Sequence, residues 1–159
     1  VVLRLEHIAI QYNFGNPIEN FNSEEHLSVY VDEDNSAGSY EDSYNAFAYQ
    51  ISPVNVPIFL DQNKKPRTAN HAVYSVLKNY GIISYWELRI TNFDSTFTPN
   101  APHEAVSLKS GKLLGFALAF EHVDAKATNT ILGSVAIPED YEGRIDLDAG
   151  LFETLKLIQ

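Results

Sequence analysis

The chain has no cysteine, no methionine and a single tryptophan, Trp86, among its 159 residues. The absence of cysteine removes disulfides, thiolate catalysis and cysteine-ligated zinc together. It leaves the compartment open. The absence of methionine means that the start residue is missing, and the chain reads as a piece of something longer. No signal peptide is visible. No apolar run approaches the roughly 20 residues that span a bilayer. Basic residues are few: 11 Lys and Arg stand against 21 Asp and Glu, for a formal charge of −10. A chain without a basic patch has nothing to neutralise phosphates, which excludes nucleic acid and an anionic membrane surface as partners. Cations and neutral polar ligands suit it better. G-x-S-x-G, G-x-G-x-x-G, Walker and H-E-x-x-H patterns are all missing. His122 and Asp124 fall on one side of a strand end, where a surface or capping role is the plainer reading. Nothing in the sequence marks an enzyme. A glycosidase-type carboxylate pair is defined by separation in space and so has no sequence signature.

What is present is a two-residue period. The hydrophobic set makes up 45% of the chain and the aromatics 12%, which suits one domain over 1–159 with a sizeable core. Leu3 and Leu5, then Ile8, Ile10 and Tyr12, alternate with polar positions across a phase slip near Glu6-His7. Leu27, Val29 and Val31 alternate, as do Phe47, Tyr49 and Ile51. A strand is expected over His71–Val76. Another runs over 82–90, with Ile82, Ser84, Trp86, Leu88 and Ile90 on one face, so Trp86 is read as core. "KLLGFALAFE", Lys112–Glu121, reads as a central strand buried on both faces, and "FETLKLI" as the last strand. Turn-rich connectors lie between: "NFGNP", "EDNSAGS", "SPVNVP", "DQNKKPRTAN", "NFDSTFTPNAPHE" and "IPEDYEGRIDLDAG". One helical turn is expected near Glu104–Leu108. Short strands at this spacing predict an all-β fold, an antiparallel β-sandwich of jelly-roll-like form.

Two groups of residues are candidates for a site. In "VYVDEDNSAGSYEDSYNAF" the acids Asp32, Glu33, Asp34, Glu41 and Asp42 fall within eleven residues with no basic residue among them. Asp32-x-Asp34-x-Ser36 resembles the start of a calcium loop, but Gly38 and Ser43 fall out of place for an EF-hand and strands flank the loop. A different cation geometry remains, beside the plainer reading of a solvated turn; the candidate ligands are Asp32, Asp34, Glu41 and Asp42. The second group is aromatic. Tyr12, Phe14, Phe21, Tyr40, Tyr44 and Tyr141 lie in or beside loops and are candidates for a sugar-binding surface, since pyranose rings lay their C–H faces on flat side chains. Lids over the core are the alternative.

Four stretches in order carry a resemblance: "HLSVYVDEDNSAGSYEDSYNAFAYQIS", "GIISYWELRI", "GKLLGFALAFEHVDA" and "DAGLFETLKL". The chain resembles the family 9 carbohydrate-binding module and its wider group from about Leu27 onward. In that family a strand ends in Asp, here Asp32. A loop Asp34-Asn35-Ser36 and an acidic Tyr40-Glu41-Asp42 follow. Later come a strand Glu, here Glu87, then Gly111-Lys112 with Gly115-Phe116, and Phe152-Glu153-Thr154-Leu155. The resemblance implies an antiparallel β-sandwich that binds saccharide without catalysis. It also implies structural calcium in some members, a neighbouring catalytic or other domain in the same polypeptide, and a secreted or cell-surface bacterial setting. The departures are specific. Asn22, Glu25 and Ser28 stand where the family has Trp, Asp and Glu, and Val135 falls where a Trp is expected. A structural or accessory domain of the same fold without sugar binding is therefore the alternative function.

Overall fold

The computed structural model describes residues 2–6, 15–20, 25–81, 83–123, 129–138, 140 and 144–158. Its strands form two antiparallel sheets. The smaller has the order β1-β7-β6, built from β1 (Val2–Glu6), β7 (Ile83–Ile90) and β6 (Val73–Tyr80). The larger has the order β10-β8-β2-β3-β4-β5. It comprises β2 (His26–Asp32), β3 (Phe47–Ile51), β4 (Pro57–Leu60), β5 (Pro66–Thr68), β8 (Leu113–Val123) and β10 (Glu153–Lys156). A further strand, β9 (Asn129–Gly133), pairs with β8 beyond the end of β10. The expected all-β sandwich is what the chain forms.

Alternation decides which face goes where, because successive side chains on a strand point to opposite sides. Leu27, Val29 and Val31 of β2 join Phe47, Tyr49 and Ile51 of β3 and Phe120 of β8 on the inner face. Val73, Trp86 and Leu88 of the smaller sheet meet them from across the sandwich. Burying each aliphatic or aromatic side chain of this kind contributes about 1.5–3 kcal/mol. Trp86 has no exposed surface, as its phase predicts. Its indole N–H donates to Ser75 Oγ at 2.9 Å, and Ser75 donates in turn to Asn55 Oδ1 at 2.8 Å. The one buried polar group of the ring is thereby satisfied.

All seven residues of β2 are buried, including His26, Ser28, Tyr30 and Asp32 on its second face. That back face is covered by the segment running into β10. Ile145, Leu151 and Phe152, with Val135 and Ile137, pack on Tyr30 and Ala117. Burial on both faces is thus correct for the centre of β8, where Leu114, Ala117 and Phe120 are buried.

Several expectations change. β5 lies in a stretch read as a turn, and β4 follows one, overlapping it only at Pro57. Each opens on a proline, Pro57 and Pro66, at a position where a strand can do without the missing N–H. β9 had no strand assigned. β6 begins at Val73 and runs on to Tyr80, held by pairing with β7 along its whole length. The helical turn near Glu104–Leu108 does not form; the segment has no regular structure. Short 3-10 turns occur instead at Arg144–Asp146 and Ala149–Leu151, inside a stretch read as a connector. Ile8, Ile10 and Tyr12 lie outside the described residues.

Candidate functional site

A cleft of about 150 Å³ opens against β3 and β4. Ala46, Ala48 and Gln50 share one face of the β3 segment, and small side chains there leave a hollow that Leu60 of β4 borders. Glu41, Tyr40 and Tyr44 form one wall. The β4–β5 turn with Asp61, Gln62 and Lys64 forms another, and Asp146 and Leu147 close the cleft. The lining therefore mixes an apolar floor with carboxylates, an ammonium and amides.

Each charged group has a defined partner. Lys64 Nζ stands 3.4 Å from Glu41 Oε1 and donates to the Glu41 carbonyl at 3.1 Å. Both side chains are about half exposed, so this pair contributes roughly 0–1 kcal/mol and is easily rearranged by a ligand. Asp61 organises the turn, accepting from Asn63 N at 2.9 Å, Lys65 N at 3.0 Å and Arg67 Nε at 3.0 Å. The Lys65 N–H, with these other donors, holds its carboxyl below the ordinary value. Asp146 keeps exposed surface, yet its carboxyl meets the buried Tyr30 hydroxyl. Burial pushes its pKa up, against the opposing effects of Tyr30 and His26.

The sequence-predicted aromatic residues divide. Tyr40 and Tyr44 both line the cleft, but their rings belong to the core. Tyr40 is 7% exposed, its ring lies 5.9 Å from Phe152, and its hydroxyl donates to the Ile145 carbonyl at 2.6 Å. Tyr44 is 6% exposed, stacks on Phe47 at 5.9 Å and meets Phe97 edge-on at 5.1 Å. Burial raises both phenols. Neither turns an open ring face to solvent. Tyr12, Phe14, Phe21 and Tyr141 lie outside the described residues. Gln50, Leu60, Gln62, Lys64 and Asp146 were not read as site residues. The signal available for them was the Ala46-x-Ala48-x-Gln50 alternation, which marks a shallow place on a strand face.

The acidic candidates also divide. Asp32 and Asp34 come together at the end of β2. Asp32 is 1% exposed; it accepts from Ala37 N at 2.8 Å and Asp34 N at 3.3 Å. Burial raises its pKa, while Asp34, held chiefly by Ser36, is lowered. These bonds hold a tight loop in which Asn35 and Ala37 have φ of 56° and 60°. Glu41 is taken up by Lys64 at the cleft, and Asp42 is exposed. Among the described residues no three His, Cys, Asp or Glu gather where a metal ion would sit. The donor set near Asp32 therefore offers two carboxylates, not four.

A third polar cluster lies at the other end of β2. Glu25 Oε1 is 2.5 Å from His122 Nδ1, and His26 Nε2 is 3.4 Å from Glu121 Oε2 across the β2–β8 register. Glu25, standing where the resembling family has Asp, is 2% exposed and serves as an internal partner.

An antiparallel β-sandwich of two unequal sheets defines the class. The fold is that of the family 9 carbohydrate-binding modules. Two solved structures of such a module from Caldicellulosiruptor kristjanssonii, one in complex with cellotriose and one with glucose, superpose with TM-scores of 0.56 and 0.53. Identity is 18% in both, over 85% and 84% of this chain. The chain spans 58% of the length of each. No protein-family model matches the chain, and no curated protein matches it.

Proposed function

We propose that the chain is a non-catalytic carbohydrate-binding module that recognises a neutral oligosaccharide or polysaccharide at the β3–β4 cleft. The observation that supports this is the lining itself. Ala46, Ala48 and Leu60 offer an apolar floor to a pyranose C–H face. Glu41 accepts, Lys64 donates, and Gln50 and Gln62 do both, which matches hydroxyls that donate and accept. Tyr12, Phe14, Phe21 and Tyr141 are the further aromatic candidates for contact with the sugar. A shallow, polar site gives modest affinity, since little apolar area is buried. The proposal includes a secreted or cell-surface bacterial setting and a neighbouring domain, such as a glycoside hydrolase, in the same polypeptide. Affinity electrophoresis through gels of neutral polysaccharides tests it. Retardation that weakens in Gln62→Ala, Lys64→Ala and Tyr141→Ala is expected; no retardation on any neutral glycan contradicts it.

A second reading is favoured by one observation: Tyr40 and Tyr44 give their ring faces to the core. A cleft without an open stacking ring among the described residues suits an accessory domain that packs on a neighbour. Joint expression with the adjoining sequence, followed by limited proteolysis, distinguishes the two.

The acidic loop adds a structural calcium to the proposal, narrowed to Asp32 and Asp34 with Ser36. Two adjacent carboxylates, one buried, repel unless a proton or cation lies between them. Chelation then lowers the melting temperature by loss of linkage. An unchanged melting curve removes the ion.

A further inference from the structure

The outward face of the β1-β7-β6 sheet is unlike the rest of this acidic molecule. Tyr74, Tyr80 and Tyr85 are 59%, 62% and 37% exposed there. The strand register sets a cation beside two of them. Arg4 and Lys78 stand opposite Tyr85 from either side, and Arg89 stands opposite Tyr74. The Arg89 guanidinium carbon lies 5.5 Å from the centre of the Tyr74 ring. Arg4 Nε donates to the Tyr85 hydroxyl at 3.2 Å, and Tyr80 meets Tyr85 edge-on at 5.9 Å. Glu87 lies between the two ends, and Glu6 takes the register position opposite Ile83. Elsewhere Lys64, Arg67, Lys112 and Arg144 meet carboxylates, while Lys65, Lys109 and Lys156 stand without a tyrosine ring beside them in the strand register. What sets this face apart is that two cations without an ion pair among the described residues, Lys78 and Arg89, each stand in register beside an exposed tyrosine.

We propose that this face is a second glycan-binding surface, separate from the cleft, and that its occupant is an anionic polysaccharide bearing carboxylates on its sugar rings. Exposed tyrosine rings offer flat surfaces to pyranose C–H faces. A guanidinium that covers a ring keeps its in-plane N–H donors for a carboxylate, which they meet in bidentate fashion. Tyr74 and Tyr80 are six positions apart on one strand, or roughly 20 Å at the rise of a β-strand. The surface is therefore long enough for several sugar units. A neutral glycan has no use for unpaired cations, and a second copy related by a two-fold axis would set the same cations against one another. The overall charge of −10 does not forbid the contact. At physiological ionic strength charges are screened beyond about 8 Å, so a polyanion lying on this sheet responds mainly to the groups beneath it.

Affinity electrophoresis of the whole chain in gels containing polygalacturonate or hydroxyethylcellulose tests the idea. Retardation by polygalacturonate is expected. It should weaken roughly tenfold in Arg89→Ala and in Tyr85→Ala, equivalent to about 1.4 kcal/mol, and should fall as salt is added. Lys64→Ala in the cleft should leave it unchanged. Arg89→Glu, at an exposed position that leaves folding intact, should abolish it. The proposal is overturned by an absence of retardation on polygalacturonate or by variants that bind it as the parent does. It is equally overturned if Tyr85→Ala affects only retardation by the neutral polymer, or only a concentration-dependent dimer on gel filtration. Because the cleft variants and the neutral gel are read separately, failure here and failure of the cleft reading give different patterns.

Discussion

Trp86 is the chain's only tryptophan, and it is sealed between the sheets with its N–H satisfied by Ser75. Its emission should be blue-shifted and poorly quenched by acrylamide, and no glycan should alter it. A shift on sugar addition would place the ligand on Trp86 and contradict the core assignment. Asp61 carries a second prediction at this scale. Asp61→Ala leaves the Asn63 and Lys65 N–H groups without an acceptor and costs about 1–3 kcal/mol. The exposed Arg67 adds little to that sum. The pH dependence has a definite sign. Asp61 is lowered in the folded chain, so its contribution is complete above the unfolded carboxylate range near ~4 and is lost as pH falls through the folded value. The stability difference between parent and Asp61→Ala should narrow on acidification. Asp32 and Asp146 are raised, so their effect runs the other way: it is present below the unfolded value and lost as pH rises through the folded one.

Among the elements, β2 and β8 form the spine, and Gly115 pairs with Asp32 at its end. A Cβ at Gly115 would stand 2.9 Å from Asp32 Cβ and 3.4 Å from the Phe152 ring. Asp32 is fixed by its two loop N–H groups and cannot easily give way. Gly115→Ala should therefore cost about 1–3 kcal/mol, read as a lowered denaturation midpoint. If stability is unchanged, the corner is softer than its hydrogen bonds indicate. The same elements show what the sequence can and cannot reveal. β2, β3 and β7 were legible because one face of each goes to a single core, which writes hydrophobicity at every second position. β5 was hidden because its proline and polar residues resemble a connector, and β4 because 58–60 is an apolar run too short to show alternation between two turn-rich stretches. The helical pattern at Glu104–Leu108 had no apolar face to bury and did not form. Tyr40 and Tyr44 sit in loop-like sequence, yet Phe152 and Phe97, distant in sequence, close over them. The cleft was illegible for the same reason. Its residues come from β3, β4, the β4–β5 turn and the Asp146 region, and only the fold brings them together.

The whole molecule is a sandwich with a polar cleft at one sheet and a tyrosine- and cation-bearing face on the other. Its likeness to family 9 carbohydrate-binding modules shows the fold, and the cleft lining supports the proposed ligand class. The two proposed surfaces would make separable demands, one for a neutral sugar and one for an anionic chain. The proposal that the cleft binds a neutral glycan joins these scales. The most direct test is titration calorimetry of the parent chain with neutral oligosaccharides, repeated with Gln62→Ala and Lys64→Ala. A modest, saturable affinity is expected, falling in both variants while their melting temperatures stay within a few degrees of the parent. Absence of heat with every neutral sugar, or binding indifferent to both substitutions, would contradict it.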